Sequence, residues 1–205
     1  MSGIAGVILA GGRSARMGGG DKFLRPLAGK PLLAHVIEHL RPQVDALAIN
    51  ANTDPARLER FGLPVIPDTL TGMGPLGGVL AALRWAQDLP RGYTHVATVA
   101  CDTPFFPRDL VTKLRAAADA SGSIVQALSS GRVHPTFALW PVSLAGKLEA
   151  FLQNQGAASM RAFAGEHHPA VAVDFAPGAG QDPFFNINTP TDLKAAEQMA
   201  GKAPR

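Results

Sequence analysis

Residues 4–10, IAGVILA, form a nearly continuous apolar run that stops at GGRSARMGGGDK. So short a run, apolar at consecutive rather than alternate positions, reads as a strand buried on both faces, as in parallel sheets. The abrupt change to glycine and cations marks a loop at the carboxyl end of that strand. No other feature constrains the chain as much. A strand buried on both faces needs helices above and below the sheet, and open α/β sheets bind ligands beyond the carboxyl ends of their strands.

The following residues supply those helices. Pro31 is expected at the first position of a helix whose inner face carries Leu32, Leu33, Val36, Ile37 and Leu40. Residues 46–50 read as a second strand and 64–66 as a short third. Pro75 opens a helix to about Asp88, with Leu76, Val79, Leu80 and Leu83 inward, and 95–101 is a fourth strand. A helix is expected from about Pro107 to Ala120. Beyond it the alternation loosens, with strands at 123–128, 135–140 and 171–175 and a helix at 143–154. Thr189, Pro190 and Asp192 then make a helix start: a capping hydroxyl, a proline at the first position and an acid in the first turn. The pattern predicts one α/β domain spanning residues 1–205, a mostly parallel sheet in three α/β/α layers, with no repeat and no linker.

Composition excludes several function classes. The net charge of +3 comes from basic residues scattered along the chain, without the stripe or motif of a nucleic-acid reader. Cys101 is the single cysteine, so neither a disulfide framework nor a cysteine-based zinc site is available. It reads as a small buried residue. No leader pattern opens the sequence and no apolar run reaches membrane-spanning length, so a cytoplasmic protein without a membrane partner is expected.

The chemistry is concentrated after the strands. Gly11, Gly12, Gly18, Gly19 and Gly20 stand among Arg13, Arg16 and Lys22. Glycines let backbone N–H groups approach phosphate oxygens, and the cations can offset the charge of a triphosphate and its leaving group. The loop is not a Walker loop, because Gly20 is followed by Asp21-Lys22-Phe23, and it lacks the dinucleotide pattern G-x-G-x-x-G. A plain surface loop is the alternative reading. Asn50, Asp68 and Asp102 follow the second, third and fourth strands. Asp102 suits a Mg²⁺ ligand, since magnesium at nucleotide sites takes one or two carboxylates plus phosphates, or else it caps the next helix. His134, in Gly131-Arg132-Val133-His134-Pro135, either faces an acceptor or shapes a turn. His167 and His168 are expected to be solvated.

Together these residues resemble a known family. Leu9-Ala10-Gly11-Gly12-Arg13-Ser14-Ala15-Arg16-Met17-Gly18, with Asp21-Lys22 following, is similar to the signature loop of Rossmann-like nucleotidyltransferases. Asn50-Ala51-Asn52, Gly74-Pro75-Leu76-Gly77-Gly78, Cys101-Asp102-Thr103-Pro104, Arg132-Val133-His134-Pro135 and Asn186-Ile187-Asn188-Thr189-Pro190 narrow the resemblance to the molybdenum cofactor guanylyltransferases. The resemblance implies transfer of GMP from GTP to Mo-molybdopterin, giving molybdopterin guanine dinucleotide and pyrophosphate. It implies that Leu9, Ala10, Gly11, Gly12, Asn50 and Asp68 bind the nucleotide and that Lys22 meets phosphate, where the charge of Arg16 is also expected to act. By the same resemblance Asp102 touches the nucleotide and holds Mg²⁺, while Gly78, Arg132, His134, Asn186 and Asn188 serve the acceptor. The nucleotide half would span about 1–105 and the acceptor half about 106–200, with a molybdoenzyme or its chaperone as a transient partner. Arginines follow the helix near Gly156 in the family pattern; here Arg161 stands alone. A cytidylyl or sugar-phosphate transferase is the nearest alternative, and a non-catalytic protein that delivers the cofactor is the alternative from another class.

Overall fold

A computed structural model describes residues 3–11, 22–118, 122–176 and 182–202 of the chain. The strands are β1 (Gly3–Leu9), β2 (Pro26–Leu27), β3 (Lys30–Pro31), β4 (Ala46–Asn50), β5 (Val65–Ile66), β6 (Tyr93–Ala100), β7 (Ile124–Ser129), β8 (Arg132–Pro141) and β9 (Ala170–Asp174). The helices are α1 (Leu32–Leu40), α2 (Pro75–Asp88), α3 (Leu110–Ala116), α4 (Ala145–Gln155), α5 (Met160–Phe163) and α6 (Pro190–Lys202). Seven strands form one sheet in the order β5-β4-β1-β6-β8-β7-β9, and β2 with β3 makes a separate small hairpin. Every neighbour pair in the large sheet is parallel except those involving β8. The chain is a single α/β domain, as the sequence predicts.

Two apolar layers explain why β1 is apolar at consecutive positions. Ile4 and Ile8 pack on one face with Leu33, Val36 and Leu40 of α1 and Leu110 and Leu114 of α3. Ala5, Val7 and Leu9 pack on the other with Leu76, Val79, Leu80 and Leu83 of α2 and Leu148 and Leu152 of α4. Alternate side chains of one strand thus enter opposite cores, and neither set is left for solvent.

Three helix boundaries differ from expectation. Pro31 is the residue before α1 rather than its first, because it pairs with Pro26 in the small hairpin. The helix after β6 begins at Leu110, not Pro107, and ends at Ala116. Its first turn is completed by a distant side chain: Gln43 donates to the Pro107 carbonyl at 3.3 Å and accepts from Val111 N at 2.9 Å. The short helix α5 is additional, capped by Ser159 Oγ accepting from Ala162 N. At α6 the predicted start is realised as a reciprocal capping box, with Asp192 N donating to Thr189 Oγ1 and Thr189 N donating to Asp192 Oδ2. Among the described residues, no helix is long and apolar enough to cross a membrane.

Candidate active site

Strand register brings the predicted polar residues to one edge. Leu9 of β1 lies opposite Asn50 of β4 and Ala100 of β6, while Asn50 lies opposite Ile66 of β5. The backbone continues this alignment past the strand ends: Ala10 N donates to Asn50 O at 2.8 Å, and Cys101 N to Leu9 O at 3.2 Å. Asn50, Asp68 and Asp102 therefore leave the sheet on the same side. Gly11 is exposed there, whereas Gly12 and Arg16 lie outside the described residues.

Asp68 is held by two asparagines. Asn50, buried among apolar neighbours, donates to Asp68 Oδ1 at 2.9 Å and to the Ile66 carbonyl at 3.1 Å. Asn52 donates to Asp68 Oδ2 at 2.8 Å and accepts from Asp68 N at 2.8 Å. Both carboxylate oxygens are thus fixed in direction and retain further lone pairs for a donor. Gly77 and Gly78 let the start of α2 lie against this pair: a Cβ at Gly77 would stand 3.2 Å from Asp68 Oδ2, and one at Gly78 would overlap Asn50 Oδ1. Gly78 accordingly stands with Asn50 and Leu9, the nucleotide group, although the resemblance assigns it to the acceptor.

The second cluster centres on Lys22. A short 3-10 turn over Lys22–Leu24 buries Phe23 and leaves the Lys22 ammonium against Asp102 Oδ2 and Asn188 Oδ1, each at 2.6 Å. Thr103 donates to Asp102 Oδ1 at 3.3 Å. The main chain secures the partner segment, because Ile187 N donates to the Asp102 carbonyl at 2.9 Å. One cation, one carboxylate and one amide from three distant parts of the chain therefore meet at a single point. Among the described residues, no three His, Cys, Asp or Glu side chains converge as a metal cage. Asp102 is instead a single carboxylate beside a cation.

A cavity of about 410 Å³ opens next to this point, lined by Thr103, Arg132, His134, Phe185, Asn186 and Asn188, among others. It unites the predicted acceptor residues other than Gly78. The hairpin turn between β7 and β8 aims Arg132 and His134 at it, with Ser130 and Gly131 both at positive φ (48° and 73°), as a tight type I′ turn requires. His134 is buried within β8, not placed before a strand. Burial holds its imidazole below the usual pKa, with Asp182 opposing and Arg132 reinforcing the shift. Ser129 and Asp182, which contact this histidine directly or through one another, carry no motif in the sequence and were not expected. Asn52 stood in a quoted motif without a role.

Other candidates separate from the site. Burial pushes the Cys101 thiol up to about 12, so it is no nucleophile. His167 is exposed as expected, but His168 is buried: its ring packs near Phe163 and its Nε2 meets the Gly122 carbonyl at 2.9 Å. Arg161 is exposed on α5 and is not among the residues lining the cavity beside Asp102. A cavity of about 450 Å³ between α4 and residues 163–168 contains none of the predicted site residues.

Known proteins align with this arrangement. Residues 6–171 match the MobA-like NTP transferase domain. A molybdenum cofactor guanylyltransferase of Mesorhizobium japonicum is 49% identical over 200 residues, covering 96% of this chain and 95% of the relative. One from Rhizobium meliloti is 49% identical over 195 residues, covering 93% and 89%. Molybdopterin-guanine dinucleotide biosynthesis protein A from Archaeoglobus fulgidus superposes with a TM-score of 0.74 at 25% identity, covering 97% of this chain and all of that one.

Proposed function

The chain belongs to the molybdenum cofactor guanylyltransferases, nucleotidyltransferases built on the MobA-like NTP transferase domain, and we propose that it transfers GMP from GTP to Mo-molybdopterin. The observation that carries this reading is the meeting of Lys22, Asp102 and Asn188, where the loop after β1, the loop after β6 and the segment before α6 converge. A reaction joining two phosphorylated substrates needs such a seam between two binding regions.

In the proposed reaction an oxygen of the acceptor's terminal phosphate attacks the α-phosphorus of GTP. The bond from that phosphorus to the bridging oxygen breaks, and pyrophosphate leaves. The chain's contribution is positioning and charge compensation, with no covalent intermediate on the protein. Leu9, Ala10 and Gly11 would bind the nucleotide through the backbone beyond β1. The fixed carboxylate of Asp68 suits guanine, whose N1–H and 2-amino group present two adjacent donors; cytosine offers one amino group and no such pair. Lys22 would hold negative charge on the phosphates while its Asn188 contact keeps it at the seam. Arg16 and Gly12 are proposed to join the phosphate contacts.

Asp102 suits Mg²⁺ by its chemistry: one carboxylate at the phosphate position, with phosphate and water oxygens completing the shell. When bound, the ion would neutralise part of the triphosphate charge. We further assign Arg132, His134, Asn186 and Asn188 to the acceptor, and Gly78 to the packing that shapes the nucleotide side. A cytoplasmic setting and a transient encounter with a molybdoenzyme or its chaperone follow from this role.

The test is direct. Purified protein is mixed with Mo-molybdopterin, Mg²⁺ and equal GTP and CTP, and the dinucleotide is identified by mass. Guanine dinucleotide with stoichiometric pyrophosphate is expected, and chelation of Mg²⁺ should stop it. Cytosine dinucleotide alone would reject the guanylyl assignment, and nucleotide retention without pyrophosphate would favour a delivery protein.

A further inference from the structure

His134, on the wall of the cavity beside Asp102, heads a hydrogen-bonded relay whose other members, Ser129 and Asp182, the reaction as described leaves without a role. His134 Nε2 lies 2.8 Å from Ser129 Oγ, and Ser129 Oγ lies 2.8 Å from Asp182 Oδ1. Asp182 Oδ1 also accepts from Phe184 N at 2.9 Å, which fixes the carboxylate relative to its own chain. The Phe184 ring stacks on the His134 ring, with centroids 4.5 Å apart at 27°. The three polar groups come from β7, β8 and the segment before α6.

The proton count along this relay is determined. A serine hydroxyl has one hydrogen, and an ionised carboxylate can only accept. If Ser129 gave its hydrogen to His134, two lone pairs would face each other across 2.8 Å at Asp182. The hydrogen therefore goes to Asp182, so Ser129 Oγ accepts from His134 Nε2–H. Burial disfavours the imidazolium, although Asp182 works against this. A neutral imidazole protonated at Nε2 carries a lone pair at Nδ1, an acceptor with no hydrogen-bond partner among the described residues.

The backbone supports the same assignment. Between Gln126 and Ala127 the pairing of β7 with β8 jumps from Ala138 to His134, leaving Pro135, Thr136 and Phe137 as a bulge. Bulges next to active sites re-aim side chains. This one brings His134 to the face that carries Ser129 and turns it to the cavity wall.

We infer that Ser129 and Asp182 are positioning residues that hold His134 as a hydrogen-bond acceptor for the N–H-bearing heterocycle of the acceptor substrate. This inference rests on the reading that the acceptor is a pterin phosphate. A pterin ring carries amino and ring N–H donors, which a neutral Nδ1 receives and a protonated imidazole would repel. The ring's phosphate-bearing side chain would then run past Asn186 and Asn188 toward Lys22. Recognition of the acceptor is thereby separated from the phosphate chemistry, with its own histidine and its own two supporting groups.

Two measurements test the relay. Long-range ¹⁵N–¹H correlation NMR of the imidazoles, assigned with His134→Asn, reads the tautomer: Nε2–H is expected in the wild type and a mixture in Ser129→Ala. Steady-state kinetics with GTP and Mo-molybdopterin should show the KM for the pterin raised about tenfold in Ser129→Ala and Asp182→Ala, with kcat and the GTP KM within about twofold. Asp182→Asn keeps an oxygen for both Ser129 and Phe184 N, so it should recover most of the loss. Thermal melts of all variants identify any that fail to fold, and in that event the tautomer read in the wild type carries the test. An Nδ1–H tautomer in the wild type, or an unchanged pterin KM in folded Ser129→Ala and Asp182→Ala, overturns the inference. A wild type that forms no dinucleotide rejects the functional reading and the pterin role together, while the NMR alone still decides the tautomer.

Discussion

The nucleotide side and the acceptor side of this site are built by different means. On the nucleotide side, Asn50 ends β4 while Asp68 and Asp102 lie just past β5 and β6, parallel strands whose register brings these residues to one edge, and the main chain continues that register past the strand ends. On the acceptor side, the wall is a β-hairpin with a bulge packed against the segment leading to α6. The first is placed by sheet register, with Asn50 and Asn52 then fixing the Asp68 carboxylate. The second depends on a few side-chain bonds, Ser129 to Asp182 and His134 to Ser129 among them. Substitutions should therefore separate into those that impair GTP use and those that impair acceptor use, with the Lys22–Asp102–Asn188 seam affecting both.

The seam is where the largest effect is expected. Asp102→Ala removes the carboxylate that pairs with Lys22 and is proposed to hold Mg²⁺. Loss of one preorganised electrostatic group of this kind costs about 10²–10³ in kcat. Dinucleotide formation should fall by that factor with either substrate saturating, while circular dichroism stays that of the wild type. A change confined to one KM would place Asp102 on one side and remove the seam from the comparison.

Gly78→Ala sharpens the division from the nucleotide side. The added methyl would overlap the amide oxygen of Asn50, whose two N–H groups are committed to Ile66 and Asp68. Overpacking of this sort costs about 1–3 kcal/mol and would displace the Asp68 carboxylate. With the carboxylate displaced, the GTP KM should rise about fivefold or more, and the pterin KM should hold. Asn52→Ala is the milder version, since Asn50 still binds Asp68 after Asn52 is lost. A rise of about three- to tenfold in the GTP KM is expected, within the net worth of one ordinary hydrogen bond, about 0.5–1.5 kcal/mol. If either variant raised the pterin KM equally, the two regions would be one.

The same contrast governs what the sequence reveals. Consecutive apolar residues at 4–10, the helix start at Pro75 and the cap at Thr189 are local signals, and the structure realises each within a residue or so. Asn50, Asp68 and Asp102 were legible because a strand end is a place one can count to. Ser129, Asp182 and the Gln43 cap of α3 were not, because their partners lie 53 residues apart in one case and 68 in the other. The small hairpin escaped for another reason. Its strands are two residues each and its turn places Ala28 at positive φ, a position alanine does not advertise. His168 resembled solvated surface in a polar stretch, but the carbonyl of Gly122 and the ring of Phe163 enclose it.

The smallest effect concerns pH, and of the three histidines it involves only His134 lines the cavity beside Asp102. His39 of α1, His95 of β6 and His134 of β8 all have pKa values held below the ordinary imidazole value, chiefly by burial. The unfolded chain then binds protons that the folded chain refuses. Stability is intact above the ordinary value of about 6.5 and declines as pH falls from there toward the folded values, after which these groups add nothing more. The carboxylates Glu38 and Asp192 are shifted the same way, by Lys30 and by backbone N–H groups respectively, so their loss comes later, in the carboxylate range. Melting temperature measured from pH 7.5 to 5.5 should therefore fall before Glu38 and Asp192 contribute. His39→Asn keeps a donor for the Phe106 carbonyl but cannot take up a proton, so it should flatten the slope. His134→Asn should flatten it too, and it alone should also raise the pterin KM. Equal pterin KM values in the two variants would show that the acceptor wall does not depend on His134, and the distinction between the two regions would then rest on the nucleotide side alone.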